Sequence, residues 1–169
     1  MKPPMSATAA RAWEVLAGVP DPEIPVISVV DLGIVRDVRD QGGELQITVT
    51  PTYSGCPATQ VIEASIRRAL ADAGLDATVR TSLAPAWTTD WMTAAGREKL
   101  ARFGIAPPGT RAADAPVPMR FVRTAPATVA CPHCGSTDTE RLAEFGSTAC
   151  KALYRCRACR EPFDYFKPL

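Results

Sequence analysis

Leu45, Ile47 and Val49 alternate with Gln46, Thr48 and Thr50, the period-two pattern of a strand with one buried face. Asp40-Gln41-Gly42-Gly43 precedes it as a turn, and the apolar, β-branched run Ile34 to Val38 supplies a partner, so the pattern predicts a hairpin. Upstream, Thr8 to Ala17 places Trp13, Val15 and Leu16 among alanines and stops at Gly18, which predicts a short first helix. Asp21-Pro22-Glu23-Ile24-Pro25 follows as a rigid loop, because each proline removes a donor and pushes its predecessor out of the helical region. From about Pro57 to Ala73, Val61, Ile62, Ile66, Ala69 and Leu70 gather on one side, with Glu63, Arg67 and Asp72 elsewhere. Gly74 ends this helix and sets Leu70 beside Leu75, the apolar pair of a Schellman cap. Ala77, Val79, Thr81 and Leu83 alternate as a third strand, and Asp90 to Phe103 reads as a last helix, capped at Gly104 with Leu100 against Ile105. The order α-β-β-α-β-α predicts a small α+β domain, its helices packed on a short mixed sheet, spanning residues 6–105.

A Pro- and Ala-rich stretch, 106–127, reads as a linker, and 128–169 follows a different logic. Two pairs, Cys131-x2-Cys134 and Cys156-x2-Cys159, have the spacing that brings four thiolates around one ion, so the tail is expected to be a zinc-ribbon-like module. In the first pair Gly135 supplies the left-handed residue of a tight turn whose N–H groups point at sulfur. Phe145, Tyr154, Phe163, Tyr165 and Phe166 can pack around the site, yet so short a segment cannot close on apolar burial alone. Structural zinc is the expected ion; four sulfurs also suit iron.

Composition narrows the partners. The chain has 169 residues with nineteen basic and eighteen acidic side chains, and the tail alone has six against five. A phosphate-binding surface needs a stronger basic excess, so nucleic acid is not the expected partner. No apolar run approaches the roughly 20 residues of a membrane span, and Met1 to Ser6 lacks the apolar stretch of a signal peptide. A cytoplasmic location follows, where six cysteines argue for metal ligands over disulfides. With a single histidine, no G-x-G-x-x-G and no P-loop, an enzyme is not expected.

Four further residues are candidates. Cys56 follows a Ser54-Gly55 turn and precedes Pro57, a favoured first helical residue, which would set its sulfur at a helix N-terminus where thiolate is stabilised. Cys150 could replace a ribbon ligand, bind a cluster near the ribbon, or sit as a packed thiol. Asp31 and Glu23 could add oxygen ligands or orient the loop, with a capping or turn role for either of at least equal weight. His133 is expected to be a turn residue pointing outward. Trp87 and Trp91 would share a helical face if the last helix begins early.

The motifs Asp21-Pro22-Glu23-Ile24-Pro25-Val26, Asp31-Leu32-Gly33-Ile34-Val35 and Thr52-Tyr53-Ser54-Gly55-Cys56-Pro57-Ala58 resemble the cytosolic and SufT-type iron-sulfur assembly domain. Pro85 to Met92, Phe145 to Cys156 and Glu161 to Lys167 resemble the PaaD-type subunit of the phenylacetyl-CoA epoxidase system, so the likeness runs through nearly the whole chain. It implies an accessory protein of phenylacetate catabolism that helps mature the multicomponent epoxidase, through the iron-sulfur cluster of its reductase subunit. It also implies a transient cluster or iron held with Cys56, contact with the iron-sulfur assembly machinery, and a homodimer if a cluster is shared. An adaptor subunit of the epoxidase is the alternative, and a zinc-ribbon nucleic-acid binder is a more distant one. Some relatives have a cysteine where this chain has Pro168, and Cys or His where Gly109 to Pro118 has neither.

Overall fold

Ser6 opens the first helix, α1 (Ala7–Ala17), by accepting a hydrogen bond from the Ala9 N–H at 3.1 Å. Its hydroxyl donates in turn to Asp40 at 2.8 Å, which ties the start of α1 to the tip of the hairpin. The computed structural model describes residues 6–53, 55–109 and 128–168. The chain divides into two units, one running to Lys99 and the other from Leu100 to Pro168.

In the first unit, β1 (Val35–Gln41) and β2 (Glu44–Val49) pair antiparallel, with Val38 opposite Ile47. The loop between them is Gly42-Gly43, with φ of +72° and +103°. Two consecutive left-handed residues match the twist of a two-residue hairpin, which is why glycine stands at both positions. Asp40 accepts from the Gly43 N–H at 2.9 Å; that bond first, then the Ser6 hydroxyl, holds its carboxyl below the usual value. The second partner of β2 is β3 (Ala77–Thr81), parallel to it and reached through α2 (Thr59–Asp72). A parallel partner requires such a crossover. Leu45, Ile47 and Val49 are buried on the side the alternation indicates.

Ile62, Ile66 and Leu70 form the buried stripe of α2, whereas Val61, expected on the same side, is 52% exposed. One helical step turns it some 100° from Ile62, out of the stripe. Gly74, at φ +70°, ends α2 as a Schellman cap: the Leu75 N–H donates to Leu70 O and the Gly74 N–H to Ala71 O, each at 2.9 Å. α1 packs against α2 and β1.

The helix expected over Asp90 to Phe103 is two elements, a 3₁₀ turn at Thr89–Trp91 and α3 (Ala94–Arg102). Met92 between them is extended, with φ −66° and ψ 131°. The Thr93 N–H, which a continuous helix would bond internally, donates to Asp31 O at 2.9 Å. Trp87 and Trp91 therefore do not share a helical face: Trp87 is buried before the turn, its indole N–H donating to Leu32 O at 3.0 Å, and the Arg36 guanidinium lies 3.4 Å from the centre of the Trp91 ring.

The second unit is a four-stranded sheet in the order β4-β7-β6-β5. Its strands are β4 (Ile105–Ala106), β5 (Thr139–Ala143), β6 (Lys151–Cys156) and β7 (Pro162–Phe166). β6 pairs antiparallel with both β5 and β7, and β4 runs parallel to β7. Ala106, the first residue of the expected linker, is thus buried in a strand. The rest of that linker from 110 to 127 lies outside the described residues. Tyr154 stacks on Phe163 with ring centres 5.8 Å apart and meets Tyr165 edge-on at 5.5 Å. Buried Cys131 and Cys156 belong to the same core cluster as these rings.

Candidate metal centre

The four ribbon cysteines sit on two turns built alike. In the first, the Cys131 N–H donates to Ser136 O at 2.9 Å and the Gly135 N–H to Cys131 O at 2.8 Å. In the second, the Cys156 N–H donates to Glu161 O and the Arg160 N–H to Cys156 O, each at 3.0 Å. The fifth residue of each turn is left-handed, Gly135 at φ +76° and Arg160 at φ +70°. Glycine takes that conformation freely, while a residue with a Cβ is disfavoured there by about 1–2 kcal/mol.

The turns face each other so that Cys131 Sγ lies 3.7 Å from Cys159 Sγ and Cys134 Sγ lies 3.6 Å from Cys156 Sγ. All four sulfurs fall within 4.8 Å of one another. Sulfurs at the corners of a tetrahedron, each about 2.3 Å from a central zinc, stand roughly 3.8 Å apart, so the spacing suits one tetrahedral ion and is far too long for disulfides. The Cys159 N–H points at Cys156 Sγ at 3.5 Å, and this bond, against the opposing loss of hydration, brings that thiol down to about 7. Cys159 goes the other way. The Glu161 N–H pulls it down, but lost hydration and the neighbouring thiols prevail and push it up to about 12. Four thiols this close resist ionising together; a cation among them removes that conflict. Cys131 and Cys156 are buried, Cys159 is half-buried and Cys134 is exposed, so the centre opens to solvent on the Cys134 side.

His133 lies in the first turn, exposed, with its ring against Gly104, where a Cβ would come within 3.0 Å of Cε1. Gly104 is also left-handed, at φ +88°, so a side chain there would be strained and would press on the His133 ring. Cys150 is buried just before β6, its sulfur 3.0 Å from the Thr148 hydroxyl and its carbonyl accepting from the Lys167 N–H at 2.9 Å. It stands outside the four-sulfur cluster.

The first unit arranges its candidates differently. Asp31 and Ser28 cap each other: the Ser28 N–H donates to Asp31 Oδ2 at 3.1 Å and the Asp31 N–H to Ser28 Oγ at 3.0 Å. Asp31 also receives the Thr93 hydroxyl at 3.3 Å and the Lys99 ammonium at 2.6 Å. Burial alone would raise its carboxyl, but Lys99 and the Ser28 N–H and hydroxyl outweigh burial and hold it below 3.8. Gly33 and Gly96 let the chain close on this point: a Cβ at Gly33 would stand 2.3 Å from Trp91 O, and one at Gly96 would stand 2.8 Å from Asp31 O. The Asp31-Leu32-Gly33 motif is therefore the seat of the Trp87–Lys99 segment. Glu23 is exposed, and its N–H donates to Asp21 Oδ1 at 2.9 Å, as does that of Ile24.

Cys56 is half-buried, and its carbonyl accepts from the N–H of Thr59 at 3.2 Å and its hydroxyl at 2.9 Å. α2 begins at Thr59 with Ala58 as its cap, two residues later than Pro57 suggested, so Cys56 belongs to the turn leading into the helix. Ser54, in the turn expected before it, lies outside the described residues. Among the described residues Cys56, Asp31 and Glu23 join no group of three or more possible metal-ligating side chains.

Comparison with known proteins bears on both units. Residues 9–81 match the family described as iron-sulfur cluster assembly protein, and residues 115–167 the family described as PaaD zinc beta ribbon domain. A protein of Escherichia coli (strain K12) named as a subunit of 1,2-phenylacetyl-CoA epoxidase is 51% identical over 92% of this chain and 90% of its own length. The chain belongs to the PaaD family. The Fe-S protein maturation auxiliary factor YitW of Bacillus subtilis (strain 168) is 41% identical over 52% of this PaaD-family chain and 80% of its own. The crystal structure of a Domain of Unknown Function DUF59 from Bacillus anthracis, 28% identical, covers 56% of this chain and 92% of that one with a TM-score of 0.52. This PaaD-family protein therefore joins an iron-sulfur assembly-type α+β domain to a zinc ribbon with four clustered cysteines. Among the described residues no helix is long and apolar enough to cross a membrane.

Sequence reasoning missed two features of these sites. One is the left-handed Arg160, which no glycine marks, although Cys-x2-Cys followed by one residue in both turns was a signal. The other is the convergence on Asp31, whose partners Thr93 and Lys99 are 62 and 68 residues away.

Proposed function

We propose that this PaaD-family protein is an accessory factor of phenylacetate catabolism that promotes iron-sulfur cluster assembly in the phenylacetyl-CoA epoxidase system, with the iron-sulfur reductase subunit as its client. One observation carries this reading: a single chain joins an assembly-type domain to a PaaD ribbon, and relatives over these stretches are named for iron-sulfur maturation and for the epoxidase. In this reading the chain is not an enzyme. The ribbon holds zinc through Cys131, Cys134, Cys156 and Cys159 as a structural ion, and Cys56 contributes to a transient cluster or iron. The half-buried Cys56 thiol supports this, having no hydrogen-bond partner among the described residues. A docked client or a second copy would supply the remaining ligands. Glu23, which is exposed, is the more available candidate for an added oxygen ligand; Asp31 is engaged by Lys99 and Thr93. Cys150, hydrogen-bonded and buried, is a packing residue.

The test is anaerobic purification of the wild type and Cys56→Ala, with zinc, iron and sulfide analysis and transfer to the apo-reductase. Zinc at one per chain is expected in both, with iron, sulfide and restored reductase only in the wild type. Zinc alone in both, with equal behaviour toward the reductase, would leave the second reading, a non-catalytic adaptor. That reading is favoured by the name of the Escherichia coli relative as an epoxidase subunit.

A further inference from the structure

Arg160 has a conformation that its own side chain opposes. The two cysteine turns share the same hydrogen bonds and the same left-handed fifth residue, yet glycine fills that place in one and arginine in the other. The backbone alone therefore gives no reason for arginine here, and a strained residue of this kind points to a use for its side chain.

The charges of the ribbon bear on what that use is. Between 128 and 168, Arg141 pairs with Glu144, Lys151 with Asp164, Arg155 with Glu140, and Arg157 with both Glu140 and Asp138. Lys167 donates to Glu144 O and lies 4.3 Å from the centre of the Phe145 ring. Arg160 is exposed, and its guanidinium has no partner among the described residues. Among the described residues it is the cation of this module without an ion pair or other partner, and it stands between the ligand Cys159 and the exposed Glu161.

We propose that Arg160 is the anchor of a docking surface on the second cysteine turn, and that it receives a carboxylate from an acidic patch of a partner protein. A guanidinium fits a carboxylate as a two-pronged fork. Nucleic acid and anionic lipid fit less well, since they need several free cations together and the neighbouring arginines are already neutralised by Glu140 and Asp138. That the partner is a component of the epoxidase rests on the function proposed above; the recognition of carboxylate does not.

The experiment uses the full zinc-loaded chain and three variants. Arg160→Gly removes charge and strain, Arg160→Ala removes charge and keeps the strain, and Arg160→Lys keeps both but loses the fork. Binding is measured by calorimetry against the purified epoxidase components, and against a hexaglutamate peptide by the NMR shift of the Arg160 side-chain N–H. Gly and Ala variants are expected to weaken component binding at least tenfold and equally, with Lys in between, while Gly retains zinc longest against a chelator. In the wild type the peptide is expected to shift the Arg160 signal in a saturable, salt-sensitive way. If no component binds the wild type while the peptide still saturates that signal, the client is wrong and the acidic docking contact stands. Unchanged component binding in the Gly and Ala variants overturns the proposal. So does a silent Arg160 signal with the peptide, or a stronger response to a short DNA duplex than to the peptide.

Discussion

The first unit and the ribbon close their cores by different means. In the first, Leu16, Ile27, Leu45, Ile47, Ile66 and Leu70 are fully or almost fully buried, and the polar network at Asp31 fastens one segment at the periphery of that apolar interior. In the ribbon two cysteines share the interior with Tyr154, Phe163 and Tyr165, and a lysine, Lys151, is 5% exposed beside Asp164 at 3.2 Å. Area removed from water can hold the first. The second puts polarisable and charged groups where a larger domain would put leucines, and it needs an ion to reconcile four thiols. A short chain segment thus keeps a defined shape by cross-linking when it cannot do so by burial.

Removing one ligand should separate the two units most sharply. In Cys131→Ser the ribbon loses an ion whose binding supplies about 10–16 kcal/mol in comparable small modules. Amide NMR signals from 128–168 are expected to collapse to unfolded positions while those of 6–98 stay dispersed. Loss of both sets would show that the contrast is false and that the chain folds as one.

A core deletion in the first unit should do the reverse. Ile47→Ala empties a fully buried site on the central strand, at a cost of about 2–5 kcal/mol, and is expected to lower the urea midpoint of the first unit without changing zinc content. Zinc loss in this variant would break the independence of the two.

Smaller still is Asp31→Asn. Asparagine keeps one oxygen to accept the Ser28 N–H but loses the second acceptor and the charge, which should cost about 1 kcal/mol; the half-exposed Lys99 adds little, because solvent screens it. Because the folded carboxyl titrates below 3.8, its contribution is present above that pH and is lost as pH falls through the lower folded value. A thermal scan against pH should therefore slope more steeply in the wild type than in Asp31→Asn below pH 3.8, with the first unit observed. Parallel curves would remove Asp31 from the account. Last, Arg160→Gly should stabilise the zinc-loaded ribbon by about 1 kcal/mol through relief of its left-handed strain, read as slower zinc release to a chelator. Faster release would show that arginine supports the metal turn itself.

What is legible in the sequence is what neighbouring residues decide. The alternation at Leu45, Ile47 and Val49, the Leu70-Gly74-Leu75 cap and the paired cysteines each carry their signal within a few positions, and each stands in the structure as read. The Asp90 to Phe103 helix is broken, because a partner 62 residues away takes the Thr93 N–H and hydroxyl at the break. Hydrophobicity alone assigns Val61 to the buried side of α2, although one residue of helical phase sets it apart from Ile62. Pro57 favours a helix start that would carry Cys56 with it, but the Thr59 hydroxyl and N–H both bond back to the Cys56 carbonyl and delay the helix. Arginine does not advertise a left-handed turn as Gly135 does, so the place of Arg160 one residue after the second cysteine pair is its one sign.

The position of the four sulfurs along the chain bears on how the molecule is born. The sheet of the first unit is complete at Thr81, fifty residues before the first ligand, Cys131 (131 − 81 = 50). Emerging N-terminus first, the chain can bury the core of that unit before a single metal-binding thiol of the ribbon has been made. Its early folding is then indifferent to zinc supply, and scarcity of the ion would strand a half-finished molecule whose assembly-type domain is already in shape.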